Sequence, residues 1–559
     1  MVREFIHKLT SPVSGLHQAA YLLAALTFVS QALALLRDHT FAHSFGAGEI
    51  LDMYYAAFNI PNVVFAMVAS LVSAYVLIPK IADLGKEDAR ALISQTTTFL
   101  LVGGGVICIV LAIFAPTLLF LLYPRFVHSA HAASFILLER ILLIQPILLG
   151  LSGIITSVTQ LHRRFMLFAL SPVLYNIGII FGTIVLYPHM GLPGIGVGVV
   201  LGALAHVSIH LPIIAEAGLF PRLTMPSSKI IWSVVKDSVP RSMALGIGSA
   251  TTLALIAIAS RIGTGSISIF TLANNLESVP LNLVAASYAT AAFPVLAEHV
   301  SKKRFAEYSS TITAALRHII FWSSMITVLT IVLRAHIVRI VLGSGAFNWD
   351  DTRITAAVLA LLVVGLLAQG IILIASRAFY AAHRSWNPLF VQLGDAGVSV
   401  GVAIVTLSYA QTHIVFRYFI EALFRVSDVP GTGVLFVAIG ATVGQIVMCI
   451  VALVTLRVVA PGVARGLSRP MFEGFGAAML GGLAAYGGLA LMGNIAPLTS
   501  LVAVFTQSAV AGIVGVAVSA IVLVLLENEE FHELYTSLSK LRTSRALKPF
   551  GDIADSPND

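Results

Sequence analysis

The stretch SQALALLRDHTFAHSFGAGEILDMYYAAFNIPNVVFAMVASLVSAYVLIP, Ser30 to Pro79, decides how this chain is read. An apolar run ends in the pair Arg37-Asp38, and a Gly46-Ala47-Gly48 turn follows. A second apolar run opens at Asp52 and is interrupted by Pro61, with Asn59 and Asn62 on either side. A charge at membrane depth is costly, and a proline in mid-helix frees backbone groups that must be satisfied again. Two such helices side by side either line a polar cavity, or carry a snorkelling arginine and a simple packing kink.

Composition sets the frame for both readings. The chain has 559 residues, 58% hydrophobic and 11% charged, against roughly 25% charged in soluble domains. A mean hydropathy of +0.94 over this length excludes a single soluble core and implies an all-α polytopic membrane protein. Strands are excluded because the apolar runs are continuous and lack the alternation of membrane barrels. Both cysteines, Cys108 and Cys449, fall in apolar runs, so no disulfide framework or cysteine metal site is implied. The N-terminal MVREFIHKLTSPVSGLHQ is too polar for a cleaved signal, which makes the first span an uncleaved signal anchor.

About 14 transmembrane helices are expected. Spans 1 to 7 are placed near 19–36, 52–79, 97–122, 133–158, 166–187, 193–216 and 238–262. Spans 8 to 14 are placed near 268–297, 313–342, 354–382, 388–409, 431–457, 471–492 and 501–526. With a cytoplasmic N-terminus, about 20 Lys and Arg fall on cytoplasmic segments and about 5 on external ones. Lys80, Lys86, Arg90, Arg163, Arg164, Lys302, Lys303 and Arg304 all lie on the cytoplasmic side in that orientation, and the C-terminus returns there too.

The chain repeats itself. Gly46-Ala47-Gly48 recurs as Gly263-Thr264-Gly265, Pro79 as Pro294, His162-Arg163 as His383-Arg384 and Pro172 as Pro388, at offsets of about 215–221 residues. Spans 1–6 and 7–12 are therefore two copies of one six-helix unit in the same orientation, two lobes around a central cavity. The expected organisation is an N-lobe over 1–216, a cytoplasmic linker over 217–237 and a C-lobe over 238–457. Two extra C-terminal helices over 458–526 and a cytoplasmic tail over 527–559 complete it.

Spans 13 and 14 are rich in Gly and Ala, which allows close helix packing or leaves a groove for a lipid chain. The external segment 410–430 spaces Val415, Phe419 and Leu423 by four, with Arg417 and Arg425 nearby. This suits a helix lying on the bilayer surface as well as an ordinary covering helix. The tail carries Lys540, Arg542, Arg545 and Lys548, fitting proximity to anionic lipid.

No phosphate loop, HExxH or nucleophile elbow is present, so the chain is read as a transporter rather than an enzyme, with no cofactor, metal or nucleic acid implied. The glycines of GLPGIGVGVVLG begin a span and read as helix packing. His39 and His43 share a helix face, but no acidic partner stands at metal-ligand spacing.

The chemistry then rests on polar residues at membrane depth. Arg37, Asp38, Asp52, Asn59 and Asn62 belong to spans 1 and 2; Arg241 and Arg261 to span 7; Asn274, Asn275 and Glu277 precede Pro280 in span 8. In the duplicated frame these spans correspond, so the groups either converge on one cavity suited to an anionic headgroup or lock the lobes together. Gly46, Gly48, Pro61 and Pro280 are the hinge candidates. Asp395, alone in span 11, is a candidate for a coupling cation or a hydrogen-bonded structural group.

These residues resemble the MurJ (MviN) lipid II flippases of the multidrug/oligosaccharidyl-lipid/polysaccharide exporter superfamily. Arg37 to Asn62 carries the family's RD…FGAG…D…F..PN pattern, and SPVLYNI (171–177), HLP (210–212), VVKDSVP (234–240), GTGSIS (263–268), ANNLESVP (273–280), GAF (345–347) and AFYAAHRSWNP (378–388) extend it. The resemblance implies movement of an undecaprenyl-pyrophosphate-linked peptidoglycan precursor between leaflets of the bacterial cytoplasmic membrane by alternating access. It also implies a headgroup cavity lined by spans 1, 2, 7 and 8, a tail groove on spans 13 and 14, and Arg37 and Asp52 as cavity residues. The expected partners are the lipid-linked substrate, membrane lipids and cell-wall synthesis proteins, around a monomer. Energy would come from a monovalent cation or the membrane potential. The chain departs from the family where Gln31, Asn59, Phe65, Ala66, Ser70 and Asn275 replace charged residues, and Arg241 and Arg261 are the substitutes at hand. A flippase for another polyprenyl-linked oligosaccharide, a cation-coupled drug exporter and a non-transporting wall-synthesis scaffold are the alternatives.

Overall fold

The computed structural model describes residues 16–536 apart from 72–73, 83, 163, 226 and 496–499. Pro79, Ser70 and Asp237 lie in helices whose side chains fall outside the description, and Arg163 and the tail cations beyond 536 are outside it altogether. Among the described residues the chain is helical throughout, without strands. Among these residues eleven helices are long and apolar enough to cross a membrane, or twelve when Trp349–Val364 and Leu366–Ala381 count as one span. The helices Leu16–Phe45 and Glu49–Leu71, of 30 and 23 residues, supply spans 1 and 2 and bring the number to the expected fourteen. A 30-residue helix is about 45 Å long, more than a bilayer core needs.

The helices form two compact units. The first holds residues 1–279, 338–365 and 383–451; the second holds 280–337, 366–382 and 452–559.

In the first unit, spans 5 and 6 cross where their glycines meet. A Cβ on Gly178 would lie 2.3 Å from Gly202 Cα, and one on Gly198 would lie 2.4 Å from Gly182 Cα. Only glycine allows that approach, so the GLPGIGVGVVLG run is helix packing, as read. Span 5 widens to a π turn at Gly182–Leu186 beside this crossing. Pro172 leaves the Phe168 carbonyl without its helical donor, and the Ser171 hydroxyl donates to it at 2.8 Å. The linker after span 6 is pinned along span 3. The backbone N–H groups of Arg222, Thr224 and Ser227 donate to the side chains of Ser94 (3.0 Å), Thr98 (3.2 Å) and Gln95 (2.9 Å). The polar run SQTTTF in span 3 thus satisfies an extended segment of backbone.

The second unit is built on spans 13 and 14. A Cβ on Gly481 would meet Gly515 O at 2.6 Å, and Ser519 donates to Ala477 O at 3.1 Å. Part of the small-residue content is therefore spent on close packing. Phe321, Ala477 and Leu523 form a buried cluster beside it. The start of the tail is held in place: Arg317 pairs with Glu529 and Glu530, and Asn528 donates to Glu473 at 2.8 Å.

Candidate functional site: a polar lock between the repeated turns

Three turns meet within the first unit: Gly46-Ala47-Gly48 after span 1, Gly263-Thr264-Gly265 after span 7, and Gly343-Ser344-Gly345 after span 9. Gly46 has φ +59 and Gly265 φ +85, a region that side-chain-bearing residues enter at a cost. Their backbones also touch their partners. A Cβ on Gly265 would lie 2.3 Å from Ala47 O, and one on Gly46 would lie 2.6 Å from Ala346 O. The Ala346 N–H donates to His43 O at 2.9 Å.

Asp52 fastens this contact. It opens span 2, is 1% exposed, and accepts from Gly265 N at 2.7 Å, Ser268 N at 2.8 Å and Ser268 Oγ at 2.6 Å. These backbone donors belong to the start of span 8, whose first N–H groups have no partner within the helix. A carboxylate there also complements the helix dipole. The side chain of span 2 thus caps the corresponding helix of the second copy. Around it Arg125 pairs with Thr264, and the Ala47 N–H donates to Asp351 Oδ2 at 3.4 Å. His39 and His43 stack with ring centroids 6.2 Å apart, and both face Ser344 Oγ, at 3.3 and 3.1 Å. His39 Nδ1 donates to Val341 O at 2.7 Å, since a carbonyl can only accept.

Two turns back along span 1 lies a second cluster. Arg37 donates to Asp38 Oδ1 through Nε (3.0 Å) and Nη2 (2.8 Å), and to Asn176 Oδ1 through Nη1 (3.1 Å). Asp38 is 3% exposed, and its second oxygen accepts from Asn275 Nδ2 at 3.0 Å. A buried ion pair needs such extra hydrogen bonds to offset its desolvation. Span 1, span 5 of the same copy and span 8 of the other copy therefore share one network.

Of the expected site residues, the structure joins Arg37, Asp38 and Asn275 in this network and places Asp52 in the lock. Asn59 is buried and turned back on its own helix, donating to Tyr55 O at 2.7 Å. Asn62 and Arg241 are half-buried, Glu277 is buried, and Arg261 is exposed in the turn after span 7. Pro61 lies inside the unbroken helix Glu49–Leu71, whereas Pro280 is followed at once by a π turn, Asn282–Ala286. Asp395 is half-buried and accepts from Ser399 Oγ at 3.2 Å. The sequence reading missed Asn176 and Ser268, although both stand in motifs quoted above. Isolated residues gave no sign that they would be the partners of Arg37 and Asp52.

The segment 410–430 contains a helix, Ile414–Phe424, that leaves Val415, Phe419 and Leu423 exposed as their spacing implies. Arg417 is not free for phosphate: it donates to the buried Glu421 at 2.7 Å, which the Thr432 hydroxyl also reaches at 2.5 Å.

A family model described as "Lipid II flippase MurJ" matches residues 41–416. The lipid II flippase MurJ of Burkholderia cenocepacia is 23% identical over 405 residues, 70% of this chain and 77% of that protein. The probable lipid II flippase MurJ of Thermotoga maritima is 23% identical over 389 residues, 68% and 77% of the two chains. Among solved structures, a lipid II flippase MurJ in an inward closed conformation superposes with a TM-score of 0.70 at 19% identity, covering 91% of this chain and all of the other. An inward-facing MATE family transporter of the MOP superfamily superposes at 0.63 with 16% identity, covering 78% and 96%. The fold is that of these transporters, and the family model covers the Asp52 lock and most of both copies of the repeat; the chain belongs to the MurJ lipid II flippase family.

Proposed function

We propose that this chain is a lipid II flippase of the bacterial cytoplasmic membrane, a transporter and not an enzyme, working as a monomer without a cofactor. Membership of the family carries the substrate class. The observation that carries the mechanism is the Asp52 lock, a buried but few-membered set of hydrogen bonds joining equivalent turns of the two copies. With both termini cytoplasmic, as the Lys and Arg asymmetry supports, these turns lie on the external side. The locked arrangement is then the one closed to the outside, and breaking it opens the outer leaflet. The lobes 1–216 and 238–457 would rock about Gly46, Gly48, Pro61 and Pro280, and the polyprenyl chain would lie along 458–526.

The pyrophosphate would be received by Arg37, released from Asp38 as the network breaks, with Arg241, Asn59, Asn62 and Asn275 as further donors. Arg261 and Glu277 would serve the rim of that site. The membrane potential or a cation at Asp395 would drive the cycle, and wall-synthesis proteins would take the product. Depleting the native lipid II flippase of a bacterial host and expressing this chain tests the reading. Restored outer-leaflet lipid II supports it; an inserted chain that restores none overturns it. A second reading, transport of another polyprenyl-linked oligosaccharide, is favoured by the neutral Gln31, Phe65 and Ala66 and by the pairing of Arg37 with Asp38.

A further inference from the structure

Span 4 carries a carboxylate that no part of this mechanism uses. Glu139, in the helical stretch Ala132–Leu142, is 1% exposed, and neither carboxylate oxygen has a hydrogen-bond partner among the described residues. Its helix packs on span 2, on the second half of span 3 and on span 6. Leu138 and Ile141 beside it close against Gly196 of span 6. One turn earlier on the same helix, Phe135 packs against Phe126 and Tyr123, at 5.2 and 6.3 Å between ring centroids. Tyr123 is fully buried and within electrostatic reach of Glu139, and Asn59 Nδ2 approaches its hydroxyl at 3.5 Å. Tyr55, one turn before Asn59, has a buried hydroxyl with no partner among the described residues and lies within electrostatic reach of Asp38 and Arg37. Within this apolar interior, the polar groups of span 2 and the loop after span 3 described near Glu139 are thus Tyr123 and, beside it, Asn59, with Tyr55 one turn further toward the Arg37 network.

The other ionisable groups on those elements are engaged elsewhere or stand apart. Asp52 is held by span 8, Arg140 Nε donates to Ala112 O at 3.0 Å, and Arg125 pairs with Thr264. His206 bonds Ser152 at 2.7 Å near the opposite end of span 6. Tyr54 faces the Arg37 network, and neither Glu49, Cys108 nor His128 acts on Glu139. A carboxylate anion without partners in this surrounding is strongly disfavoured. The neutral acid does not carry that cost.

We propose that Glu139 is a proton-binding site of the N-terminal half, loaded in the locked arrangement and unloaded along Tyr123 and Asn59 when the lock opens. One carboxylate oxygen takes up one proton to give the neutral acid, and the same proton leaves to water on the other side of the cycle. The proton at Glu139 is independent of the transport reading; its coupling to lipid movement rests on that reading.

The test uses the full chain reconstituted in phosphatidylethanolamine–phosphatidylglycerol vesicles. Infrared spectroscopy should show a carboxylic-acid carbonyl band that shifts in D2O, disappears in Glu139→Gln and moves in Tyr123→Phe. A pH gradient should change the rate at which a fluorescent lipid II analogue crosses the bilayer severalfold in the unmodified chain and not at all in Glu139→Gln. A band unaffected by Glu139→Gln, or a gradient response retained by that variant, overturns the proposal. If Glu139→Gln fails to fold, Tyr123→Phe decides, because an unmoved band places the proton elsewhere. An unmodified chain that moves no lipid in any gradient overturns the transport reading and the coupling together, while the band still reports whether Glu139 holds its proton.

Discussion

At the scale of single residues, the stability of the lock rests on Asp52. Replacing it by alanine leaves the buried N–H groups of Gly265 and Ser268 without an acceptor, a loss of about 3 kcal/mol. That is roughly a hundredfold in the ratio of unlocked to locked molecules. Asp52→Ala should therefore raise labelling of a cysteine placed at Thr264 by a membrane-impermeant thiol reagent, while Asp52→Asn, which keeps one acceptor oxygen, should give an intermediate rate. Equal labelling of all three chains would show that Asp52 does not hold the turns together. Asp52 itself was legible in the sequence, because an acid at the start of an apolar run has to find a partner. Its role as a cap on another helix was not, since that depends on Gly265 and Ser268, more than two hundred residues away, arriving at the same point. The same holds for Arg37. Its charge was readable, whereas its engagement by Asp38 and Asn176 follows from how spans 1 and 5 pack.

At the scale of elements, the glycine turns offer a controlled comparison. Gly265 and Gly431 share nearly the same φ, +85 and +86, but a Cβ meets Ala47 O at 2.3 Å in the first and nothing within 4 Å in the second. Alanine at either position costs about 1–2 kcal/mol in backbone strain. Only Gly265→Ala should also force the turns apart, so thermal unfolding should move similarly in both variants while cysteine labelling near the lock rises in Gly265→Ala alone. The loop after the 414–424 helix gives a pH prediction. Arg353 donates to both oxygens of Asp428, at 2.8 and 2.6 Å, and to Arg425 O at 2.6 Å. The hydrogen bond from Arg353 holds the Asp428 carboxyl below the usual carboxylate range. A folded value below the unfolded one means that the clamp is fully present above the ordinary carboxylate pKa and is lost as pH falls through the lowered value. Amide exchange over 425–433 should therefore be slow at neutral pH, and should quicken in that acidic window and in Arg353→Gln at any pH. The positions of the spans followed from hydropathy, although the span 1 helix runs to Phe45 rather than 36 and the span 3 helix begins at Lys86 rather than 97. Two features did not: the pinning of 222–227 to span 3, because its donors are backbone groups, and the docking of Glu529 and Glu530 on Arg317, because a run of charge after the last span reads equally well as solvated tail.

At the scale of the whole molecule, the duplication visible in four sequence correspondences has a physical counterpart in the lock. Because the two copies carry their glycine turns at the same place, the turns can meet, and the carboxylate of Asp52 in the first copy fastens them to the second. The asymmetry matters for the substrate as well. On the proposed reading, Gln31, Phe65, Ala66 and Asn275 are neutral where the resemblance implies charge, which leaves Arg37 as the chief cation for the headgroup. The network that neutralises Arg37 shares spans 1 and 8 with the lock. In the complementation assay this predicts a specific order of effects. Arg37→Ala should abolish rescue, because in the proposed site Arg37 is the cation that the network of spans 1, 5 and 8 presents to the headgroup. Asn275→Ala should leave the fold intact but shift the balance, freeing one oxygen of Asp38 and weakening the tie between the copies by about 1 kcal/mol. Rescue should then persist at a rate altered by less than about tenfold, a change of 1.4 kcal/mol being the tenfold mark. Full rescue by Arg37→Ala, or complete loss in Asn275→Ala, would show that the headgroup is held elsewhere and that the network is only a structural tie.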